Sequence, residues 1–258
     1  MSNIEKDPNR ISDCMVLVTV RTESTRLPNK CLLEFGNYNV IEHILRRCLF
    51  YKLTPILCTT IHKNDDILVE IAEKLSIRYF RGSSINKLLR WRDCCREYKI
   101  NIFHTVDADD LFFCGDEVRR SLNLLESGFD MVSPSQSASR GGCTVGFSLR
   151  SNIVEQACKI IPKKTDTEMM WNFIKKVKEA KIITLDEPHT SVITERMTLD
   201  YQEDYEMLNK LRMLVGNFGT RHQIAEALKN HPEISEINLF RNEQWLNNQR
   251  RKSNEINE

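Results

Sequence analysis

Met15-Val16-Leu17-Val18-Thr19-Val20, followed at once by Arg21-Thr22-Glu23-Ser24-Thr25-Arg26-Leu27-Pro28-Asn29-Lys30, is the stretch around which the chain is organised. The first six residues are continuously apolar or β-branched, the pattern of a strand buried on both faces rather than one facing water. The ten that follow place Arg21, Arg26 and Lys30, with the Ser24 hydroxyl between them, on the loop leaving that strand. In an open α/β sheet, ligands sit outside the carboxyl ends of the strands, where this loop would lie. Arginine offers a planar fork and lysine a compact point charge, so the three cations suit a polyphosphate. Read without that context, the same residues are a solvated turn.

The flanking segments carry the alternation onward. Asn39 can cap a helix, with Glu42 completing a capping box, and Val40, Ile41, Ile44, Leu45, Cys48 and Leu49 recur on one face. A strand follows at Pro55–Thr60, then a helix near Asp65–Leu75 with Ile67, Leu68, Ile71, Ala72 and Leu75 inward. Ile77–Phe80 reads as a third strand and runs into Arg81-Gly82-Ser83-Ser84, a base- or ribose-binding turn or an ordinary helix start. Strand and helix in this rhythm imply right-handed βαβ units and a largely parallel sheet.

The fourth strand, Asn101–Val106, ends in Asp107-Ala108-Asp109-Asp110. Carboxylates crowded at a strand end repel one another, and a hard cation such as Mg²⁺, which takes oxygen ligands, relieves that. The other reading is a solvated acidic turn. His104 is expected in the core or at its rim. Later come strands at Asp130–Pro134 and Thr144–Leu149, helices at 152–160 and Thr167–Ala180, and a strand at Val192–Asp200 before a further helix. The segment from Arg241 to Glu258 has only Trp245, Leu246 and Ile256 to bury and reads as a polar tail or a loosely docked helix.

Composition narrows the function classes. The 258 residues suit one large domain, and 37 basic against 36 acidic residues give no reason to expect nucleic acid or a membrane surface as partner. No apolar run approaches the roughly 20 residues that span a bilayer. Met1–Cys14 is polar and unlike a signal peptide, and nine cysteines without a C-x-x-C spacing read as core residues of a cytoplasmic protein. The histidines show no zinc-binding spacing.

The ordered pattern Arg21-x-x-Ser24-x-Arg26-Leu27-Pro28-x-Lys30 resembles the signature loop of the cytidylyltransferases that make CMP-sugars, and most closely their spore-coat-polysaccharide relatives. Those enzymes usually carry glycine where this chain has Asn29, a mild departure because asparagine tolerates left-handed backbone. The echo extends to the Arg81-Gly82-Ser83 turn, although the acidic pair that commonly follows it is missing. It extends also to the strand end at Asp200 with Asp204 in the next helix's first turn, and to Asn230-His231-Pro232. The resemblance implies a Rossmann-like, GT-A-like nucleotidyltransferase fold: a three-layer α/β sandwich with a mostly parallel sheet. The domain would span residues 15–240 and carry a small acceptor and dimerisation segment near 134–190. It implies transfer of CMP from CTP to a 2-keto sugar acid, a phosphonate or a phosphate, with release of pyrophosphate and with Mg²⁺ held by Asp109 and Asp200. Arg21, Arg26 and Lys30 would stabilise the triphosphate, and Ser24, Arg81, Ser83 and Asp107 would contact the nucleotide. Gln136, Arg140 and Glu168 would meet the acceptor, and the molecule would be a homodimer. Two competing readings are a GT-A-type glycosyltransferase working through Asp107-Ala108-Asp109, which has no need of the three-cation loop, and a non-catalytic scaffold.

Overall fold

The computed structural model describes residues 14–143, 146–189 and 191–254. In chain order the strands are β1 (Met15–Thr19), β2 (Glu34–Phe35), β3 (Tyr38–Asn39), β4 (Thr54–Thr60), β5 (Arg78–Gly82), β6 (Ile102–Asp107), β7 (Met131–Ser133), β8 (Ser148–Arg150) and β9 (Ile182–Thr184). The helices of the first half are α1 (Val40–Phe50), α2 (Asp66–Lys74), α3 (Lys87–Tyr98) and α4 (Gly115–Glu126). Those of the second half are α5 (Gln136–Ser139), α6 (Ser151–Ile160), α7 (Trp171–Ile174), α8 (Gln202–Val215), α9 (Arg221–Asn230), α10 (Pro232–Leu239) and α11 (Arg241–Asn254).

Seven strands form one sheet in the order β5-β4-β1-β6-β8-β7-β9. β1 is an interior strand, the third of the seven, paired parallel to β4 and β6. Every residue of β1 is buried because the sheet is covered on both faces. Val16 and Val18 join the cluster with α1, α2 and α4, while Met15 and Leu17 join the one with α3 and α6. The sheet is parallel through β5, β4, β1 and β6, but β8 runs antiparallel to both β6 and β7. Gly146 makes the approach to β8 possible, since a Cβ there would lie 1.9 Å from the Thr105 carbonyl.

Several local expectations need correction. Asn39 does cap α1, accepting from the Glu42 N–H, but the Glu42 carboxylate takes Arg46 rather than closing a capping box. Ile67 is exposed, leaving Leu68, Ile71 and Ala72 as the inner face of α2. The expected helix over Thr167–Ala180 shrinks to α7 with turns on either side, its four-residue hydrogen-bond spans flanked by three-residue ones. The apolar stripe at 170, 173, 174 and 177 stays buried, because that spacing satisfies either winding. Val192–Asp200 joins no sheet; its extended backbone bonds Gly141 and Asp109 through Met197 and Leu199. Of the expected strand at Thr144–Leu149, residues 144 and 145 lie outside the described residues, as does the N-terminal extension up to residue 13. Among the described residues, no helix is long and apolar enough to cross a membrane.

Two histidines tie stability to pH. His43 lies 3.0 Å from the Leu111 carbonyl and His104 lies 2.8 Å from the Ser148 hydroxyl, and burial pushes both imidazoles down to about 3. The unfolded chain takes up these protons near pH 6.5 and the native state does not, so stability must fall as pH drops below 6.5 towards 3. At pH 5 the loss should be roughly 2 kcal/mol per histidine. Urea midpoints at pH 7 and pH 5 test this: His104→Gln should show a smaller drop than the wild type. An equal drop would mean that His104 already carries its proton in the fold.

Candidate active site

The loop after β1 is pinned at its root before it reaches the cleft. The Thr22 N–H and hydroxyl both donate to Asp65 Oδ1, at 2.8 and 2.7 Å, and the Thr60 hydroxyl donates to Asp65 Oδ2. Burial alone would raise the Asp65 pKa, but these donors outweigh it and hold the carboxylate ionised. Ser24 accepts from the Leu27 N–H at 3.4 Å, tightening the turn. Asn29 sits at φ 53°, the left-handed conformation that asparagine tolerates, and it starts the short helical turn that aims Lys30 inward.

Lys30 is the centre of the site. Its ammonium donates to Asp109 Oδ2 at 2.8 Å, to Asp200 Oδ1 at 3.0 Å and to the Leu199 carbonyl at 2.7 Å. Arg26 reaches the same Asp200 oxygen at 2.5 Å. Burial would push the Lys30 ammonium down, yet the two carboxylates dominate and hold it above its usual range. Asp200, only 3% exposed at its side chain, is held down at about 2 by Lys30 and Arg26 against the opposing effect of burial. The chain thus brings the loop after β1, the end of β6 and the segment before α8 to one point.

Beside this point lies a second ionic cluster with a residue that sequence reasoning overlooked. Lys87, at the start of α3 and 5% exposed, donates to Asp107 at 3.0 and 3.2 Å and lies 3.6 Å from Glu168. Its charge, aided by Arg21 at 3.9 Å, holds Glu168 down to about 2. Arg90, one turn along α3, donates to the Ser83 carbonyl, and its buried Nε has no partner among the described residues. Nothing local marked Lys87; an apolar-periodic helix start with one lysine reads as a solvated face.

Two cavities meet here. One, of about 440 Å³, is lined by Arg21, Ser24, Arg26, Lys30, Lys87 and Arg90 among others. The other, of about 750 Å³, is lined by Gln136, Phe147, Trp171, Asp200 and Trp245 among others. Arg26, Asp107, Asp109 and Glu168 border both. Arg140 is exposed and outside this lining. The structure also places Arg81 away from the cleft: its guanidinium donates to the Thr60 and His62 carbonyls and to Asp66, locking β5 to the start of α2. Ser83 accepts from the Asn86 N–H, and it is Asn86 that caps α3. The two aspartates of Asp107-Ala108-Asp109 do not converge, since Lys87 holds one and Lys30 the other. That separation disfavours the glycosyltransferase reading.

Trp245 is the second residue whose role was not legible. Of the segment expected to be a polar tail or a loosely docked helix, residues 241–254 form the helix α11, and the Trp245 indole N–H donates to Asp200 Oδ2 at 3.0 Å.

Comparison with known proteins bears on the fold. The cytidylyltransferase family model matches residues 15–126, which carry the loop, Lys87 and Asp109. An uncharacterised protein of Methanocaldococcus jannaschii is 27% identical over 229 residues, covering 86% of this chain and 93% of that one. A spore coat polysaccharide biosynthesis protein of Bacillus subtilis is 28% identical over 108 residues, covering 40% of this chain and 45% of its own length. Among solved structures, a cytidylyltransferase from Leptospira borgpetersenii superposes with a TM-score of 0.77 at 22% identity, over 86% of this chain and 96% of that one. A CMP:2-keto-3-deoxy-manno-octonic acid synthetase complexed with CTP gives 0.60 at 12% identity, over 78% and 99% of the two chains. The fold is that of the nucleotidyltransferases.

Proposed function

We propose that this chain is a CTP-dependent cytidylyltransferase that couples CMP to an anionic small-molecule acceptor and releases pyrophosphate. The observation that carries the reading is the convergence of Arg26, Lys30, Asp109 and Asp200 at the junction of two cavities. The smaller cavity suits the nucleotide and the larger one the acceptor. An acceptor oxygen attacks the α-phosphorus, the bond to the bridging oxygen breaks, and its electrons leave with pyrophosphate. Such a transfer asks for positioning and charge neutralisation more than covalent help.

Asp109 and Asp200 fit a divalent ion by their donor type, since both already hold a cation, the Lys30 ammonium, through carboxylate oxygens. Among the described residues no larger group of metal ligands gathers, so water and phosphate oxygens would complete the coordination. Mg²⁺ bound there would polarise the α-phosphate and align the acceptor oxygen. The residues' own part is clear without it. Lys30 turns from the aspartates to the β,γ-phosphates, and Arg26 lays its fork across them. Lys87 and Arg90 present donors, and Glu168 an acceptor, along the wall of the smaller cavity, where a pyrimidine edge would lie.

This reading sets a nucleotide preference that can be measured without knowing the acceptor. A ligand at a hundredfold excess over its Kd stabilises the fold by about 2.7 kcal/mol, and each kcal/mol shifts Tm by roughly 2–4 °C at this size. CTP with Mg²⁺ should therefore raise Tm by several degrees, and ATP and GTP by much less. UTP exchanges an amino donor for a carbonyl acceptor, which would face the Glu168 carboxylate and be rejected. Equal shifts from all four nucleotides would reduce the cleft to a generic phosphate site. Pyrophosphate release against a panel of sugar acids, phosphonates and sugar phosphates then identifies the acceptor.

A further inference from the structure

The C-terminal helix should not dock on its apolar content. Among its described side chains only Trp245 is buried, at 7% exposure, while Leu246 remains 41% exposed. A helix of this kind gains little from burial and needs specific attachments to hold its place. Those attachments lie on the segment that carries Asp200 and on the first turn of α8 that follows it. Arg241 forms a two-pronged ion pair with Glu203 at 3.1 and 2.8 Å. Asn248 donates to the Tyr201 hydroxyl at 3.0 Å, and Arg196 donates to Asn242 at 3.0 Å. The Tyr201 ring lies 5.1 Å from the Arg241 guanidinium and 5.7 Å from that of Arg26, which ties the helix to the phosphate loop as well. From this anchorage the helix crosses the cleft, with Asn248 and Lys252 lining the smaller cavity and Trp245 and Lys252 lining the larger.

The contact at the middle of this strap is the informative one. Asp200 has two carboxylate oxygens with different duties. Oδ1 takes Arg26 and Lys30, the groups that face the substrate. Oδ2 takes the indole N–H of Trp245, whose ring also lies 5.9 Å from the Arg196 guanidinium. An indole is donor-only, so this bond fixes which oxygen is turned away from the cleft. Backbone support comes through Asp204, which accepts from the Asp200 N–H at 2.9 Å. The carboxylate is thereby held against rotation about its terminal torsion, a soft twofold motion in a free side chain.

We propose that Trp245 is a positioning residue for Asp200: its indole N–H holds Oδ2 so that Oδ1 stays aimed at the junction of the two cavities, and α11 is a working wall of the active site. The inference rests on the assignment of Asp200 as a metal- and substrate-facing carboxylate. Trp245→Phe keeps the ring and removes only the N–H. Hydrogen bonds to charged groups are strong enough that its loss should lower kcat roughly tenfold. KM for CTP should change little, and the Mg²⁺ concentration giving half-maximal rate should rise several-fold.

Two readouts stand apart from turnover. Mn²⁺ binding, followed by electron paramagnetic resonance, should weaken several-fold in Trp245→Phe. The full-length protein labelled with ¹⁵N-tryptophan has three indole signals, one per tryptophan. The signal missing in Trp245→Phe should be the one displaced by Asp200→Asn. A lowered Tm with unchanged kcat, unchanged Mg²⁺ dependence and unchanged Mn²⁺ affinity would overturn the proposal and leave Trp245 a packing residue. Should the Phe variant fail to fold, Arg241→Met combined with Asn248→Ala loosens the strap with the indole intact. It should weaken Mn²⁺ binding in the same direction, and wild-type affinity there would equally overturn the proposal. Absence of pyrophosphate release from the wild type with every nucleotide would instead refute the cytidylyltransferase reading, while the Mn²⁺ and indole signals would still report on Trp245.

Discussion

Asp200→Asn should remove most of the turnover, on the order of a thousandfold, and adding Asp109→Asn to it should cost little more. Asp200 gathers Arg26, Lys30 and Trp245 on two oxygens, and an amide offers one oxygen and a donor where an acceptor is needed. The three donors would then surround a neutral group, and Lys30 would retain only Asp109 and the Leu199 carbonyl. Residues that hold one ion and one lysine act as a unit, so their losses must be strongly non-additive. Two independent, multiplying losses in a kinetic cycle would rule out the shared site. Lys30→Met sharpens the test, because it removes the cation already seated between the carboxylates. That variant should turn over slowly and yet bind Mg²⁺ more tightly in the absence of nucleotide, as followed by calorimetry. Arg26→Lys should also be impaired, since a point charge cannot span two phosphate oxygens.

Arg196→Met should cost about 3–5 kcal/mol of stability, the usual effect of leaving a buried charge without its partner. Arg196 and Asp204 are 2% and 0% exposed at their side chains and are joined through both terminal guanidinium nitrogens. Asp204 also accepts from the backbone N–H groups of Asp200 and Tyr201 and from the Asn238 amide, at 2.8 to 2.9 Å. One ion pair therefore joins the segment before α8, the start of α8 and α10. At about 2–4 °C per kcal/mol, Tm should fall by roughly 6–20 °C. Arg196→Lys should recover little, because lysine cannot reproduce the fork. Arg196→Met with Asp204→Leu should recover part of the loss, since it removes both buried charges. Chemical denaturation measures all of these, and a loss below 1 kcal/mol in the single variant would show that Asp204 is carried by its neutral donors alone.

The amino-acid sequence determined the frame of this protein. The unbroken apolar run of β1 demands cover on both faces, and β1 is an interior strand with a core cluster on each side. The departure to Asn29 before Lys30 marked a left-handed backbone position, and Asn29 has φ 53°. The run of cations after β1 and the aspartates at two segment ends were legible because each is local, a residue type at a chain position. Their relation was not. Lys30 is 79 residues from Asp109 and 170 from Asp200, and nothing in the periodicity of either segment records that all three share one ammonium. Arg81 shows the converse. Its turn looked like a ligand-binding one, but carbonyls nearby in space claimed the guanidinium first. Trp245 looked like one of three apolar residues in a polar tail or a loosely docked helix, and only the packed fold sets its N–H against Asp200, 45 residues earlier in the chain. Hydrophobic spacing encodes which face of an element is buried, because burial depends on that element alone. The pairing of one buried charge with another depends on where two distant elements come to rest, and that is decided only when the core has closed around them.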